Sequence, residues 1–252
     1  MKRILVTNDD GVRSDGIKVL AAALAPLGEV VTVAPALEAS AIGHALTLRR
    51  PLRIERLGER IFSVDGTPTD CVNIAIHKVL GGLPDLVVSG INKGCNLGDD
   101  VTYSGTVAGA LEGALLGVPS IAISQQRSRD VIEYSQAAAT AAKLAAAVLQ
   151  RGLPARTLLN VNVPGVPAKG VRVTVQAKRN HVTSVVEALD PRRQPYFWIE
   201  DGESDWEPHD RSDYHAVKAG WISVTPLHAD LTNHDALAAV EELSVGVYAE
   251  VE

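Results

Sequence analysis

The class of the fold can be read from the stretch Arg3-Ile4-Leu5-Val6-Thr7-Asn8-Asp9-Asp10-Gly11. Its first five residues read as a strand around the continuous apolar run Ile4-Leu5-Val6, which stops at a turn cluster, and continuous rather than alternating hydrophobicity predicts a strand covered on both faces, hence a parallel sheet. A helix is expected from about Ser14 to Leu24, with Ile17, Leu20, Ala21 and Leu24 on one stripe. Pro26 and Gly28 end it, and Val30 to Ala34 is the second strand. Thr67-Pro68-Thr69-Asp70 combines a hydroxyl cap, a proline at the first helical position and an acid three residues after the cap, and so predicts a helix running to about Leu80. Asp85 to Gly90, Pro119 to Ser124 and Leu158 to Pro164 read as further strands. Helices are expected from Gly105 to Leu116 and from Gln136 to Gln150. Strand alternating with helix is the pattern of a doubly wound α/β domain.

Beyond Pro164 the rhythm changes. Val171 to Val175 alternates as a sheet strand does, a polar segment runs from Asp190 to Asp213, and Trp221 to Thr225 and Asn233 to Leu243 read as a last strand and a terminal helix. Six of the ten aromatic residues (Tyr196, Phe197, Trp198, Trp206, Tyr214 and Trp221) fall in or beside the polar segment. Two readings stay open: anchors packed on a neighbouring subunit, or a loop folded back on its own domain.

Composition bounds the function. The chain has 252 residues with 46% hydrophobic and 21% charged side chains, which is a globular composition and excludes disorder, collagen and coiled coil. A net charge of −6 argues against a surface that coats nucleic acid. No apolar run approaches the ~18 residues of a membrane span. The N-terminus lacks the apolar core and cleavage site of a signal peptide. Cys71 and Cys95 make no CxxC pair or disulfide framework, so a cytoplasmic protein is expected.

In a parallel α/β sheet ligands bind outside the carboxyl ends of the strands, and three polar clusters lie there. Asp9-Asp10-Gly11 follows the first strand. Two adjacent buried carboxylates repel unless a cation neutralises them, and oxygen ligands favour Mg²⁺ or Mn²⁺; the plain alternative is a turn and helix cap. Asn92, within Ser89 to Asn96, offers an amide oxygen to a metal or an amide hydrogen to a phosphate, or forms an ordinary Asn/Gly turn. Tyr103-Ser104-Gly105-Thr106 leads into a helix whose free amides and hydroxyls suit an anion. Gly105, Gly109, Gly113 and Gly117 recur every fourth residue, a pattern that predicts close packing of this helix on the sheet. Ser40 is a weaker element after the second strand. No HExxH, GxSxG, Walker A or GxGxxG motif is present. Together the clusters place two acids, an amide, a serine and a helix start on one sheet edge, a metal-plus-phosphate arrangement.

The stretches ILVTNDDG (Ile4 to Gly11), APALEASAIGHALT (Ala34 to Thr47), GTPTDCV (Gly66 to Val72), VSGINKGCNLG (Val88 to Gly98), YSGTVAGALEGALLGVPSIAIS (Tyr103 to Ser124), NVNVP (Asn160 to Pro164) and VTPLHADLTN (Val224 to Asn233) closely resemble the SurE family. The resemblance implies a metal-dependent nucleotidase acting on nucleoside 5′-monophosphates, with 3′-monophosphates as further candidates. It makes Asp9, Asp10, Ser40 and Asn92 the ligands of one divalent cation, Mg²⁺ or Mn²⁺, per subunit. Asn92, Ser104, Gly105 and Thr106 become the phosphate contacts. Since one carboxylate of a pair can coordinate while its neighbour accepts a proton, Asp9 and Asp10 are the expected catalytic residues, with Asp9 orienting the attacking water. It also implies a Rossmann-like, mostly parallel core over residues 1–165. Residues 166–252 would then carry a β-rich oligomerisation arm (about 185–220) and a terminal helix within the same overall domain, pairing the chain as a homodimer or dimer of dimers. Cys95 stands where proline is common in the family, and Ala36-Leu37 where polar residues are expected. Three alternatives remain: a non-enzymatic nucleotide or metal sensor, a phosphatase for another phosphoester or short polyphosphate, and a covalent aspartyl phosphatase, which needs a DxD spacing rather than adjacent acids.

Overall fold

In the computed structural model, which describes residues 1–128, 132–180, 183–201 and 205–248, the first strand β1 (Arg3–Thr7) is buried from Ile4 onward. The chain continues as α1 (Asp15–Leu24), β2 (Glu29–Pro35), β3 (Ile54–Arg56), β4 (Ile61–Val64), α2 (Pro68–Ile74), β5 (Leu86–Lys93), α3 (Gly105–Leu115), β6 (Ser120–Gln125), α4 (Ser135–Arg151) and β7 (Thr157–Val163). After it come β8 (Val171–Val173), β9 (Arg179–Asn180), β10 (Thr183–Leu189), β11 (Pro195–Asp201), β12 (Asp205–Trp206), α5 (Asp213–Lys218), β13 (Ile222–His228) and α6 (Leu237–Tyr248).

Nine strands form one sheet in the order β3-β4-β2-β1-β5-β6-β7-β13-β8. The run from β4 to β7 is parallel, whereas β3 pairs antiparallel with β4 and β13 antiparallel with β7. Two hydrophobic layers explain why the central strands read as unbroken apolar runs. On one face Ile17, Leu20 and Leu24 of α1 and Ala137, Ala141 and Val148 of α4 cover Ile4, Val6, Leu86 and Val88. On the other, Cys71 and Val72 of α2 cover Leu5, Val31, Val33 and Val87, and Val107, Ala110 and Ala114 of α3 cover Ala122 and Leu158. The fold is the doubly wound, mostly parallel α/β class, with β10 and β11 as an added antiparallel hairpin. Among the described residues no helix is long and apolar enough to cross a membrane.

The strand order reverses beside β1: β2 lies on one side and β5 on the other. Such a switch point opens a crevice above the carboxyl ends of the strands. Asp9 and Asp10 leave β1 there, Asn92 lies at the end of β5, and the chain leaving β2 carries Ser40.

Local expectations mostly hold, with physical reasons for the differences. Thr67 accepts a hydrogen bond from Asp70 N (3.1 Å) while the Asp70 carboxylate accepts from Thr67 N (2.9 Å), a complete capping box. Beyond Ile74 the coil widens into a π-type turn over Ala75–Val79. Ser14 caps α1 by position only, since its hydroxyl accepts from Asn8 Nδ2 at 2.8 Å. The ladder expected through Val175 stops at Val173, and Val171 and Val173 are exposed because β8 is the edge strand. A 3₁₀ turn (His234–Ala236) precedes α6, which begins later than expected and runs further.

Part of the aromatic cluster takes the folded-back reading. Trp206 stacks on Tyr214 with ring centroids 4.4 Å apart, and Arg172 lies over the Trp221 ring, so these three fold back on their own chain. Tyr196, Phe197 and Trp198 sit exposed on β11, Trp198 by 58%. Residues 202–204 of the expected arm lie outside the described residues.

Candidate active site

Asp9 begins the turn that closes β1, and Gly11 completes it at φ +91°, a conformation an L side chain resists. Asn8 Nδ2 ties the turn down through Gly11 O (3.1 Å). Asp9 is buried, and its carboxylate accepts a hydrogen bond from the Thr106 hydroxyl in the first turn of α3. That approach requires Gly105, where a Cβ would lie 2.7 Å from Asp9 Cβ. Gly109 and Gly113 continue the contact, a Cβ at the former falling 2.9 Å from Thr7 Cγ2 and at the latter 2.9 Å from Val87 Cγ2. The glycine ridge is therefore what seats α3 on the sheet. Gly117 is different: nothing lies within 4 Å of its Cβ position, and its φ of +85° ends the helix.

The Asp10 carboxylate is 6% exposed. One of its oxygens meets Lys93 Nζ at 3.3 Å, while the other, Oδ2, is buried without a hydrogen-bond partner among the described residues. Burial holds the Asp9 carboxyl above the ordinary carboxylate range, Thr106 drawing it partly back and Asp10 pushing it further up. Burial likewise raises Asp10, partly offset by Lys93 and reinforced by Glu38. Two adjacent carboxylates in this state leave charge and lone pairs unsatisfied, which is costly unless a cation meets them.

Both acids line a cavity of about 800 Å³ with Glu38, Ser40, Asn92, Lys93, Asn96, Asp100, Tyr103, Ser104, Arg127 and Ile199. The fold thus brings Asp9, Asp10, Ser40, Asn92 and Ser104 to one opening. Thr106 is fully buried and does not line it, and Ser40 is exposed, its hydroxyl donating to Glu38 Oε1 at 2.7 Å. Asn92 donates its amide nitrogen to Gly94 O (3.0 Å), which leaves its amide oxygen for a cation. Ser104 caps α3 by accepting from Val107 N (3.0 Å). Among the described residues no three His, Cys, Asp or Glu side chains stand close enough together to hold one metal ion, so neutral oxygens must complete any metal set here. An all-oxygen set of two carboxylates, an amide and a hydroxyl suits a hard divalent cation.

Several lining residues carried no motif. Lys93 directly follows Asn92 and was within reach of sequence reasoning, but Asp100, Arg127 and Ile199 arrive from separate loops and the hairpin. Asn160 and Asn162 on β7 were also missed. Both amides donate to Asn96 O (2.9 and 3.0 Å), Asn162 Oδ1 accepts from Asn96 N (2.8 Å), and Asn96 Nδ2 reaches Ser124 Oγ (2.8 Å). Cys71 and Cys95 are free thiols that burial raises, Cys95 to about 12, so neither is a nucleophile here.

A family model described as survival protein SurE matches residues 4–183. A protein of Geotalea daltonii named 5′-nucleotidase SurE is 53% identical over 246 residues, 96% of this chain and 99% of that one. A relative of the same name from Syntrophotalea carbinolica is 55% identical over 231 residues, 91% of this chain and 92% of its own. The crystal structure of the SurE protein from Aquifex aeolicus superposes with a TM-score of 0.85 at 43% identity, covering 96% of this chain and 99% of that one.

Proposed function

The chain belongs to the SurE family, and we propose that it works as a 5′-nucleotidase, a metal-dependent phosphomonoesterase that converts nucleoside 5′-monophosphates to nucleoside and phosphate. The names of its relatives support the reaction. The observation that carries the metal-dependent site is Asp10 Oδ2, a carboxylate oxygen buried without a partner at the floor of a polar cavity. Four carboxylates against two cationic side chains line that cavity, a balance that would repel a phosphate dianion unless a further cation is bound.

Asp9, Asp10, Asn92 and Ser40 would hold one Mg²⁺ or Mn²⁺ per chain. When bound, such an ion supplies positive charge to the phosphoryl oxygens and makes water more acidic. The remaining work falls to the chain itself. Thr106 fixes the Asp9 carboxylate, which orients the attacking water and accepts its proton. Gly105 lets the start of α3 approach that carboxylate, which brings the Ser104 hydroxyl, at the N-cap and on the cavity wall, to where it would meet the phosphate. Thr106, fully buried with its hydroxyl and its backbone N–H both turned to Asp9, would support that carboxylate rather than touch the phosphate. Lys93 and Arg127 add fixed positive charge near the charge that develops in the transition state. Residues 1–165 would serve as the catalytic core. The exposed Phe197 and Trp198 of the hairpin would belong to the surface through which a second copy pairs.

A phosphate-release panel over nucleoside 5′- and 3′-monophosphates, with Mn²⁺ or with chelator, tests this reading. Release from 5′-monophosphates that chelator stops is the expected result. Tight nucleotide binding by calorimetry without phosphate release would replace the enzyme by a sensor.

A further inference from the structure

Gly98 occupies a position no side chain can share. Its φ is +52°, and a Cβ there would lie 2.5 Å from Trp206 Cζ3 and 2.6 Å from Ala177 O. It belongs to the segment between β5 and α3 that carries Asn96, Asp100 and Tyr103 into the cavity. On one side the segment is tied to the sheet through Asn96, Asn160, Asn162 and Ser124, as described above. On the other it is tied to the base of the arm: Gln176 Nε2 donates to Gly98 O (3.0 Å), and Arg179 donates its backbone N–H to Asp99 Oδ2 (3.2 Å) and its guanidinium to Asp100 Oδ1 (2.8 Å).

Asp213 joins these pieces. At the first position of α5 and fully buried, it accepts Gly98 N–H on Oδ2 (3.0 Å), and Ala177 N–H (3.0 Å) and Tyr214 N–H (2.7 Å) on Oδ1. Both oxygens are thus committed, one to the cavity segment and the other to the arm and its own helix. Asp213 does not line the cavity. The segment it holds presents a carboxylate and an exposed phenol ring there, Asp100 and Tyr103. A carboxylate repels phosphate, and hydrogen-bonding and stacking groups suit the hydroxyls and ring of a nucleoside.

We propose that Asp213 is a positioning residue for nucleoside recognition: by bridging Gly98 and Ala177 it sets the cavity-lining segment against which the sugar and base are read. The inference rests on the nucleotidase reading and extends it to the non-reacting half of the substrate. Because Ala177 and Trp206 belong to the arm base, the same contact makes nucleoside affinity depend on how the arm is seated.

Asp213→Asn tests it. An amide has one acceptor where the carboxylate has two, so one of the two bridging N–H groups is left facing an N–H. The variant should lose about tenfold in kcat/KM for a nucleoside 5′-monophosphate, mostly through KM, while kcat/KM for p-nitrophenyl phosphate, which has neither ribose nor nucleobase, stays within about threefold. Mn²⁺ affinity should be unchanged, since no proposed metal ligand lies on the segment. Equal losses on both substrates, or no loss on either, overturn the inference while leaving the nucleotidase reading intact. A wild-type enzyme active on the aryl phosphate and inert toward every nucleotide overturns both. Should Asp213→Asn not fold, Gln176→Ala decides: it removes only the bond to Gly98 O and should show the same split between substrates, smaller in size, and equal effects on the two substrates would overturn the inference.

Discussion

Gly105→Ala adds one methyl group at the contact that joins α3 to the acid pair. Its Cβ would lie 2.7 Å from Asp9 Cβ, 3.0 Å from Asp9 Oδ2 and 3.2 Å from Asp9 Cγ. Carbon atoms rest about 3.5–4.0 Å apart, so the helix start and Asp9 must separate by about 1 Å. Overpacking of this kind costs about 1–3 kcal/mol, and in a chain this long each kcal/mol lowers Tm by about 2–4 °C. The kinetic effect should be larger, because a displacement of about 1 Å at a reacting group costs on the order of 100-fold in rate. Both the Thr106–Asp9 bond and the Ser104 end of α3 are moved at once. Gly117→Ala is the control: φ +85° makes it strained, at about 1–2 kcal/mol, but it lies at the far end of α3. The assay is kcat for phosphate release at saturating Mn²⁺ and nucleotide, beside Tm for each variant. Similar losses of Tm with a collapse of kcat only in Gly105→Ala are expected. A kcat for Gly105→Ala within about threefold of wild type would refute the claim that this contact sets the catalytic geometry.

Asp9→Asn should lower phosphate release by about 100- to 10,000-fold, the range of a lost general base, with the metal-free Tm at or above wild type because a buried, raised carboxyl is removed; near-normal turnover would dismiss Asp9 from the chemistry. Asp9 and Asp10 are both raised in the folded chain, so between the ordinary carboxylate pKa and their raised values the folded state binds more protons than the unfolded one, and the metal-free fold loses stability as pH climbs through that window. A cation holds the deprotonated form, so the gain in Tm from Mn²⁺ should grow as pH climbs from the ordinary carboxylate range through the raised values of the pair; a gain that is flat or shrinks with pH contradicts the assignment. Trp198→Glu places a charge on the exposed face of the hairpin and should shift sedimentation toward the single chain without changing its circular dichroism, whereas an unchanged oligomer would remove this face from the interface.

What the sequence made legible was whatever local chemistry dictates. Leu5 and Val6 had to be buried on two faces, Thr67 to Asp70 had to cap a helix, and polar residues stopping each strand had to gather at the sheet's carboxyl edge. Gly105, Gly109 and Gly113 announced a helix pressed on the sheet, but Gly117, at the same spacing, owes its place to a positive φ. Spacing alone does not separate those causes. Asn160, Asn162 and Asp213 were silent because their work is done on backbone groups 36 to 115 residues distant, and nothing in a strand or helix pattern marks such a partner. Thr106 read as a phosphate contact because hydroxyls at helix starts commonly are; its burial against Asp9 gives it a different task. Of the aromatic residues from Tyr196 on, Trp206 and Tyr214 satisfy each other by stacking, while Phe197 and Trp198 lie exposed on a two-stranded hairpin.

If Asp9 and Asp10 hold a divalent cation at the switch point of the sheet, uptake of the ion must depend on Asp10. Titrating Mn²⁺ into the wild-type chain and into Asp10→Asn, with free ion read by electron paramagnetic resonance, tests it most directly. One tightly bound ion per wild-type chain, lost or greatly weakened in the variant, is the predicted result; a wild-type chain that takes up none, or a variant that binds as tightly, would contradict it.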